Sequence, residues 1–159
     1  MLSQRGRYAL KAMIHLAAAP ADSGPQQISA IAGQGNIPRK FLEAILVDLK
    51  KAGLVSSVRG QRGGYRLARP AGEIMIGDIM RITDGPLALV PCVSKLFYRR
   101  CADCADEATC AIRHIMALVR EEVGAVLDKT SLEQTAALGL GSDADPPAPQ
   151  AETERLSAP

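Results

Sequence analysis

Apolar residues recur at helical spacing over residues 4–19, where Tyr8, Leu10, Met13, Ile14, Leu16 and Ala17 share one face. Ser3 is placed to cap that helix, and Pro20 followed by Asp22-Ser-Gly-Pro25 ends it. Ile28, Ile31 and Ala32 predict a short second helix, broken by Gly33-Gln-Gly-Asn36. Pro38 opens a third, because its missing N–H costs nothing at a first helical position. Phe41, Leu42, Ile45, Leu46 and Leu49 give this helix an apolar face, Arg39, Lys40, Glu43 and Lys50 lie off it, and Gly53 stops it. The period then shortens. Leu54 to Val58 and Tyr65 to Leu67 read as two short strands around the glycine-rich turn Arg59-Gly-Gln-Arg-Gly-Gly64. Residues 76–83 predict another short helix, and residues 87–110 a loop. Farther on, Ile112, Met116, Val119, Val123 and Val126 follow at spacings of four, three, four and three within a helix over 111–128. That is a brief heptad seam, suited to pairing with a second copy. Residues 131–138 predict one more helical piece, and the polar, proline-rich stretch 139–159 a disordered tail.

The expected fold is therefore mainly α with a small β-hairpin. A winged helix-turn-helix occupies residues 1–84, a cysteine-containing loop 85–110, and a dimerisation helix region 111–138. Composition agrees with packed helices: the chain is 47% hydrophobic but only 3% aromatic, so its core is aliphatic. No apolar run is long enough to span a bilayer. The N-terminus lacks the continuous apolar region of a secretory signal, which predicts a cytoplasmic protein with no membrane partner.

Charge sharpens the picture. Residues 1–90 hold 12 Lys and Arg against 6 Asp and Glu, and residues 91–159 hold 7 against 11. A basic first half suits a polyanion, although an uneven surface alone would give the same count. The order helix, helix, turn, helix, hairpin narrows the choice to double-stranded DNA, whose major groove admits one α-helix. Arg39, Lys40 and Glu43 fall in the first turns of the recognition helix, where side chains reach base edges. Arg59 and Arg62 flank a glycine-rich wing tip that suits a minor groove or a phosphate pair, with Tyr65 beside it and Arg5 and Arg7 as further basic contacts. Taken singly, a basic helix face is often only solvated, and a glycine-rich tip only a turn.

The four cysteines, Cys92, Cys101, Cys104 and Cys110, all lie in the loop. Clustered cysteines in a chain with no secretory signal point to metal binding or redox chemistry rather than a disulfide scaffold. Four thiolates can hold an iron–sulfur cluster, [2Fe-2S] or [4Fe-4S], or a zinc ion. Free thiols, or a redox disulfide such as Cys101–Cys104, are the alternatives. Arg99 and Arg100 flank the loop and can offset the charge of a thiolate-bound group. His114 sits one helical turn beyond Cys110, a reserve ligand. No nucleophile–base pair, phosphate loop or metalloprotease motif argues for an enzyme.

Three segments resemble the Rrf family of winged-helix transcription regulators: Gly6-Arg-Tyr-Ala-Leu-Lys-Ala-Met13, Ile37-Pro-Arg-Lys-Phe-Leu-Glu43, and Leu49 through Tyr65 with its Gly-Leu-Val and Arg-Gly-Gln-Arg-Gly-Gly-Tyr elements. Ile76-Gly-Asp-Ile79 fits as well. The resemblance implies a homodimer on a palindromic operator, with Glu43 and the wing arginines as readers. Pro38 and Lys40 stand where familiar members carry small polar residues, so the resemblance does not extend to the target sequence. It also favours iron–sulfur over zinc, because cluster-binding members carry a cysteine triplet that Cys92, Cys104 and Cys110 reproduce with a longer first spacing. The histidine of some members falls on Arg113 and the acidic ligand of others near Tyr8, which leaves Cys101 as the fourth ligand. The implied signal is iron, oxidant, nitric oxide or sulfur status. The rival readings are a zinc-stapled or cluster-free thiol-based regulator, and an iron–sulfur carrier.

Overall fold

The computed structural model describes residues 2–60 and 62–140. The expected tail falls almost wholly outside them. Six helices and one hairpin follow in the order α1 (Gln4–Ala18), α2 (Ile28–Gly35), α3 (Arg39–Lys51), β1 (Val55–Val58), β2 (Gly64–Leu67), α4 (Ile76–Thr83), α5 (Ala111–Leu127) and α6 (Leu132–Leu140).

The core is the aliphatic one the composition implies. Ala9, Ala12, Met13 and Leu16 of α1 meet Ile31 of α2 and Leu42, Ile45, Leu46 and Leu49 of α3. Ile74, Ile76 and Ile79 around α4 close the cluster. Phe41 does not share that burial. It is 44% exposed and meets Tyr8 edge-on, with ring centroids 5.7 Å apart. Two boundaries also shift. Helix α2 runs through Gly33 and Gly35 and ends at Asn36, whose left-handed φ of 48° stops it. Pro38 is the residue before α3 rather than its first helical residue.

The start of α1 and the end of α4 are tied by charge. Ser3 caps α1 by accepting from Gly6 N–H at 3.0 Å, and the Asp84 carboxylate at the end of α4 accepts from Ser3 N–H at 2.9 Å. An anion there complements the positive end of α1. The close approach needs Gly6, where a Cβ would lie 2.6 Å from the Asp84 oxygens.

Helix α6, which the sequence predicts only as a helical piece, folds back against α1, with Leu132 and Ala136 buried. The return is made by backbone pairing: Ile76 N–H donates to Thr130 O at 3.0 Å and Leu132 N–H to Ile74 O at 2.8 Å. Beside this splice, Arg81 of α4 donates two 2.7 Å hydrogen bonds to Asp128, the residue that ends α5. The Arg81 guanidinium holds the Asp128 carboxyl below the usual aspartate range. A lowered folded-state pKa stabilises the fold above the unfolded value and ceases to do so as pH falls through the folded one. Asp128→Asn should thus lose stability at neutral pH, and its deficit against the parent should shrink in acid, below about pH 4. Urea midpoints at fixed protein concentration across pH measure this; a deficit independent of pH would rule out the ion pair.

Candidate nucleic-acid interface and cysteine loop

Helix α3 begins in an unusual electrostatic state. Its first two residues, Arg39 and Lys40, are cations at the positive end of the helix dipole, its first turn holds no acid, and no side chain caps it. Phe41 and Leu42 N–H both donate to Pro38 O, at 3.0 Å each, which leaves the N–H groups ahead of them facing outward. That arrangement opposes helix stability and suits an anion, as at phosphate-binding helix ends. Arg39 Nε donates to Glu43 Oε1 at 3.2 Å across one turn, and Arg39, Lys40 and Glu43 are all exposed.

The wing stands next to this helix end. Strands β1 and β2 pair antiparallel, with Val55 opposite Leu67 and Val58 opposite Gly64. Gln26, just ahead of α2, pairs with Tyr65 through two 2.8 Å backbone bonds and so adds a third edge to the hairpin. Lys50 Nζ ties the far end of α3 to β1 through Ser57 Oγ at 2.6 Å. Ser29, Arg39, Ser57 and Arg59 thereby line one cleft of about 470 Å³ between α2, α3 and the wing. Arg59 and Arg62 are exposed at the tip.

The remaining basic and aromatic candidates are placed differently. Tyr65 is half-buried against the core and roots the wing. Arg5 forms an ion pair with Asp48 on α3 and so links α1 to α3. Arg7 is exposed and donates to Gln4. Sequence reading missed Asp48, Gln26 and Ser57, because each acts through a partner far along the chain.

In the loop, Cys92 lies buried in a short 3-10 turn, Pro91–Val93, which the sequence reads as plain loop. Arg99 N–H donates to Pro91 O at 3.3 Å and folds the following segment back over that turn. Cys104 N–H donates to Cys101 O at 3.4 Å, while the strongest influence on the Cys101 thiol comes from Cys92. The Cys101 thiol is pushed up, first by its hydrogen bond with Cys92, then by desolvation and by the charges of Cys92, Asp103 and Cys110. Cys104 is pushed up by desolvation and by Cys110, with Arg100 opposing. Arg100 also donates to the Cys104 and Ala105 carbonyls, at 2.9 and 3.1 Å, and shapes that turn. Cys110 caps α5 by accepting from Arg113 N–H at 3.4 Å. His114 is exposed on the same helix. All four cysteines are free. Four soft thiols in mutual electrostatic range fit a thiolate-ligated group as a donor set. Among the described residues no three His, Cys, Asp or Glu side chains stand in a ligating arrangement, so the loop would have to contract around any such group.

A helix-turn-helix with a wing braced against its second helix defines a DNA-binding module, and the comparisons agree. The family model described as "Rrf2: Iron-dependent Transcriptional regulator" matches residues 2–137, and the chain belongs to that family. A Rhodobacter capsulatus protein named as an rrf2-like HTH-type transcriptional regulator is 42% identical over 87% of this chain and 94% of its own. The structure of CymR, described as the global cysteine regulator of B. subtilis, matches with a TM-score of 0.71 at 35% identity, covering 87% of this chain and 97% of CymR. The structure of T. potens IscR matches with a TM-score of 0.68 at 29% identity, covering 87% and 88%. The chain is thus a DNA-binding transcription regulator rather than an enzyme. No helix among the described residues is long and apolar enough to cross a membrane.

The wing glycines are required for packing as well as for the turn. A Cβ on Gly64 would lie 2.3 Å from Gln26 O, and one on Gly63 2.2 Å from Val58 O, both backbone atoms that cannot step aside. Gly64→Ala is expected to break the Gln26–Tyr65 pairing and cost about 1–3 kcal/mol, the usual penalty for overpacking. Hydrogen exchange should show early loss of protection at the Gln26 and Tyr65 amides; unchanged protection there would contradict the bracing role.

Proposed function

We propose that this protein is a homodimeric cytoplasmic regulator that reads a palindromic operator and is switched by an iron–sulfur cluster held by Cys92, Cys101, Cys104 and Cys110. The observation that carries the reading is the position of the four thiols. They occupy the one segment between the DNA-binding unit and α5, a helix with no buried residue of its own. Ile112 and Val126 of the expected seam are 67% and 63% exposed, and Ile115 and Leu118 widen the apolar surface at 51% and 52%. A second copy related by a two-fold axis would cover that face and present two recognition helices to two half-sites.

When bound, the cluster would supply a redox- and iron-sensitive crosslink among the four cysteines. The chain's own part is to order the loop through the Arg99–Pro91 and Arg100–Cys104 hydrogen bonds, and to transmit that order to α5 through Cys110, its cap. The family's description as iron-dependent and CymR's as a cysteine regulator support iron or sulfur status as the signal. Oxidants and nitric oxide act on the same thiolate chemistry. An iron–sulfur carrier would have no use for the recognition helix.

Anaerobic reconstitution with iron and sulfide should give visible absorbance bands that disappear when all four cysteines are changed to Ala. Holo and apo protein should differ in affinity for a duplex selected from a random pool. Equal cluster uptake by the four-fold variant would refute the ligand set, and equal DNA affinity the switch. Metal analysis of anaerobically purified protein separates iron from zinc. One feature favours a second reading, a cluster-free thiol switch: the Cys101 thiol is pushed up chiefly by Cys92. That reading requires mild oxidation of metal-free protein to link those two in preference to Cys101 and Cys104, read by peptide mapping.

Arg39, Lys40, Arg59 and Arg62 are the proposed phosphate and groove contacts, and Glu43 a base reader. Changing Arg59 or Arg62 to Ala should lower affinity for all duplexes and reduce the salt slope by about 1. Glu43→Ala should relax sequence preference while leaving nonspecific affinity intact or raised, since it removes a negative charge and frees Arg39. An unaltered salt slope in both arginine variants would remove the wing from the interface.

A further inference from the structure

On the side of α5 away from the seam lies a cavity of about 290 Å³. Its walls come from three parts of the chain: Arg81 of α4, Lys95 in the loop, and Arg120, Glu121, Asp128 and Lys129 around the end of α5. Apolar atoms of Leu87, Ala88 and Leu96 complete it. Positions 120, 121, 124, 125 and 128 line it from the helix, and at 100° per residue they sit about 150° around α5 from the seam. A dimer centred on the seam would therefore cover mainly the opposite face of α5.

The two carboxylates are already satisfied. Asp128 is held by Arg81, and Glu121 by Arg120 and by Lys95 at 3.2 Å. The donors are not. Lys129 has no ion-pair partner among the described residues, and Arg120, which donates to Val93 O and to Glu121, keeps its Nε buried without a hydrogen-bond partner. Lys95 gives hydrogen bonds to only one carboxylate. Four cations meet three acids here, since Asp78 also lies 3.8 Å from Arg81, so the recess keeps an excess of one positive charge and its unmet demand is for an anion. Its volume is at the lower end of small-molecule pockets.

We propose that this cavity binds a small anion, a carboxylate or phosphate group on a short skeleton, as an effector of DNA binding. The anion would engage Lys129, Lys95 and Arg120, with Leu87 and Leu96 against its carbon atoms. Lys95 lies three residues beyond Cys92, and Arg81 lies on the helix that packs beneath α1 and α3. A bound anion therefore joins the loop, the DNA-binding unit and α5 at one point. Any change it makes in DNA affinity must be matched by an equal change of its own affinity when DNA is bound. The inference uses the DNA-binding class alone and is independent of the cluster.

The full-length protein, metal-free and reconstituted, is titrated with inorganic phosphate, succinate and citrate at matched ionic strength, with chloride as control. Amide shifts in heteronuclear NMR report binding. The expected result is saturable shifts confined to residues 81, 86–88, 95–96 and 120–129, from phosphate or from the carboxylates but not chloride. Lys129→Gln should weaken the response at least about fivefold while leaving anion-free DNA affinity unchanged. Fluorescence anisotropy with the selected duplex should shift at least about threefold at saturation, in the metal-free protein as well. No saturable shift from any probe, or shifts that persist unchanged in Lys129→Gln, would overturn the site. Binding at the cavity with DNA affinity following ionic strength alone would overturn the effector role. Failure to take up a cluster would leave both results standing, so the two readings fail separately.

Discussion

Two backbone hydrogen bonds, from Ile76 to Thr130 and from Leu132 to Ile74, splice the end of the long helix onto the start of α4, and the rest of the architecture depends on that splice. It converts α5 from a free extension into a strut fixed at its far end. The Arg81–Asp128 pair reinforces the joint, and α6 buries Leu132 in the same core as Met13 and Leu46. The near end of α5 is the cysteine loop, capped by Cys110. With one end clamped to the DNA-binding unit, reordering the other end has only one rigid element through which to act. The splice also explains why α4 carries so much contact: it touches α1, α3 and α5, and its last turn delivers Asp84 to the start of α1.

The same logic of opposed demands governs the recognition helix. Arg39 and Lys40 would be more stable anywhere but at the positive end of α3. The helix tolerates them because its opposite face buries Leu42, Ile45, Leu46 and Leu49 completely, and Lys50 and Lys51 suit its negative end. Burial of several leucine-sized side chains, each contributing about 1.5–3 kcal/mol, outweighs a dipole conflict of roughly 0.3–1 kcal/mol per charge. The local rule is broken where phosphate would repair it, and Glu43 shields part of the conflict until then.

What the sequence makes legible follows from the range of each interaction. Helices α1, α3 and α5 and the hairpin are readable because their periodicities are local and strong. The end of α2 is misread because two glycines resemble a break, whereas an asparagine in the left-handed region supplies it. The role of Arg5 is hidden because Asp48 lies 43 residues away, and that of Arg81 because Asp128 lies 47 away. Helix α6 is legible as a helix but not as a return, since Leu132 and Ala136 form an apolar face that could pack against α5 as readily as α1. In the loop, cysteine spacing draws attention to the nearby pair Cys101 and Cys104. The leading influence on the Cys101 thiol comes instead from the more distant Cys92.

Helix α5 brings these constraints together. It has 17 residues and buries none of them, so it lacks the tertiary packing that supplies most helical stability in proteins. The clamp at Asp128 and the cap at Cys110 hold its ends but do nothing for Ile112, Ile115, Leu118, Val123 and Val126 between them. If a second copy supplies the cover, as proposed, then helix formation, association and loop order are a single cooperative equilibrium rather than three separate steps. A change at Cys110, which caps the helix, or at Lys95 and Arg120, which brace its polar side, then draws on the same free energy that sets the distance between two recognition helices. A regulator built this way needs no long-range path of side chains from sensor to DNA, because the dimer helix is shared by both.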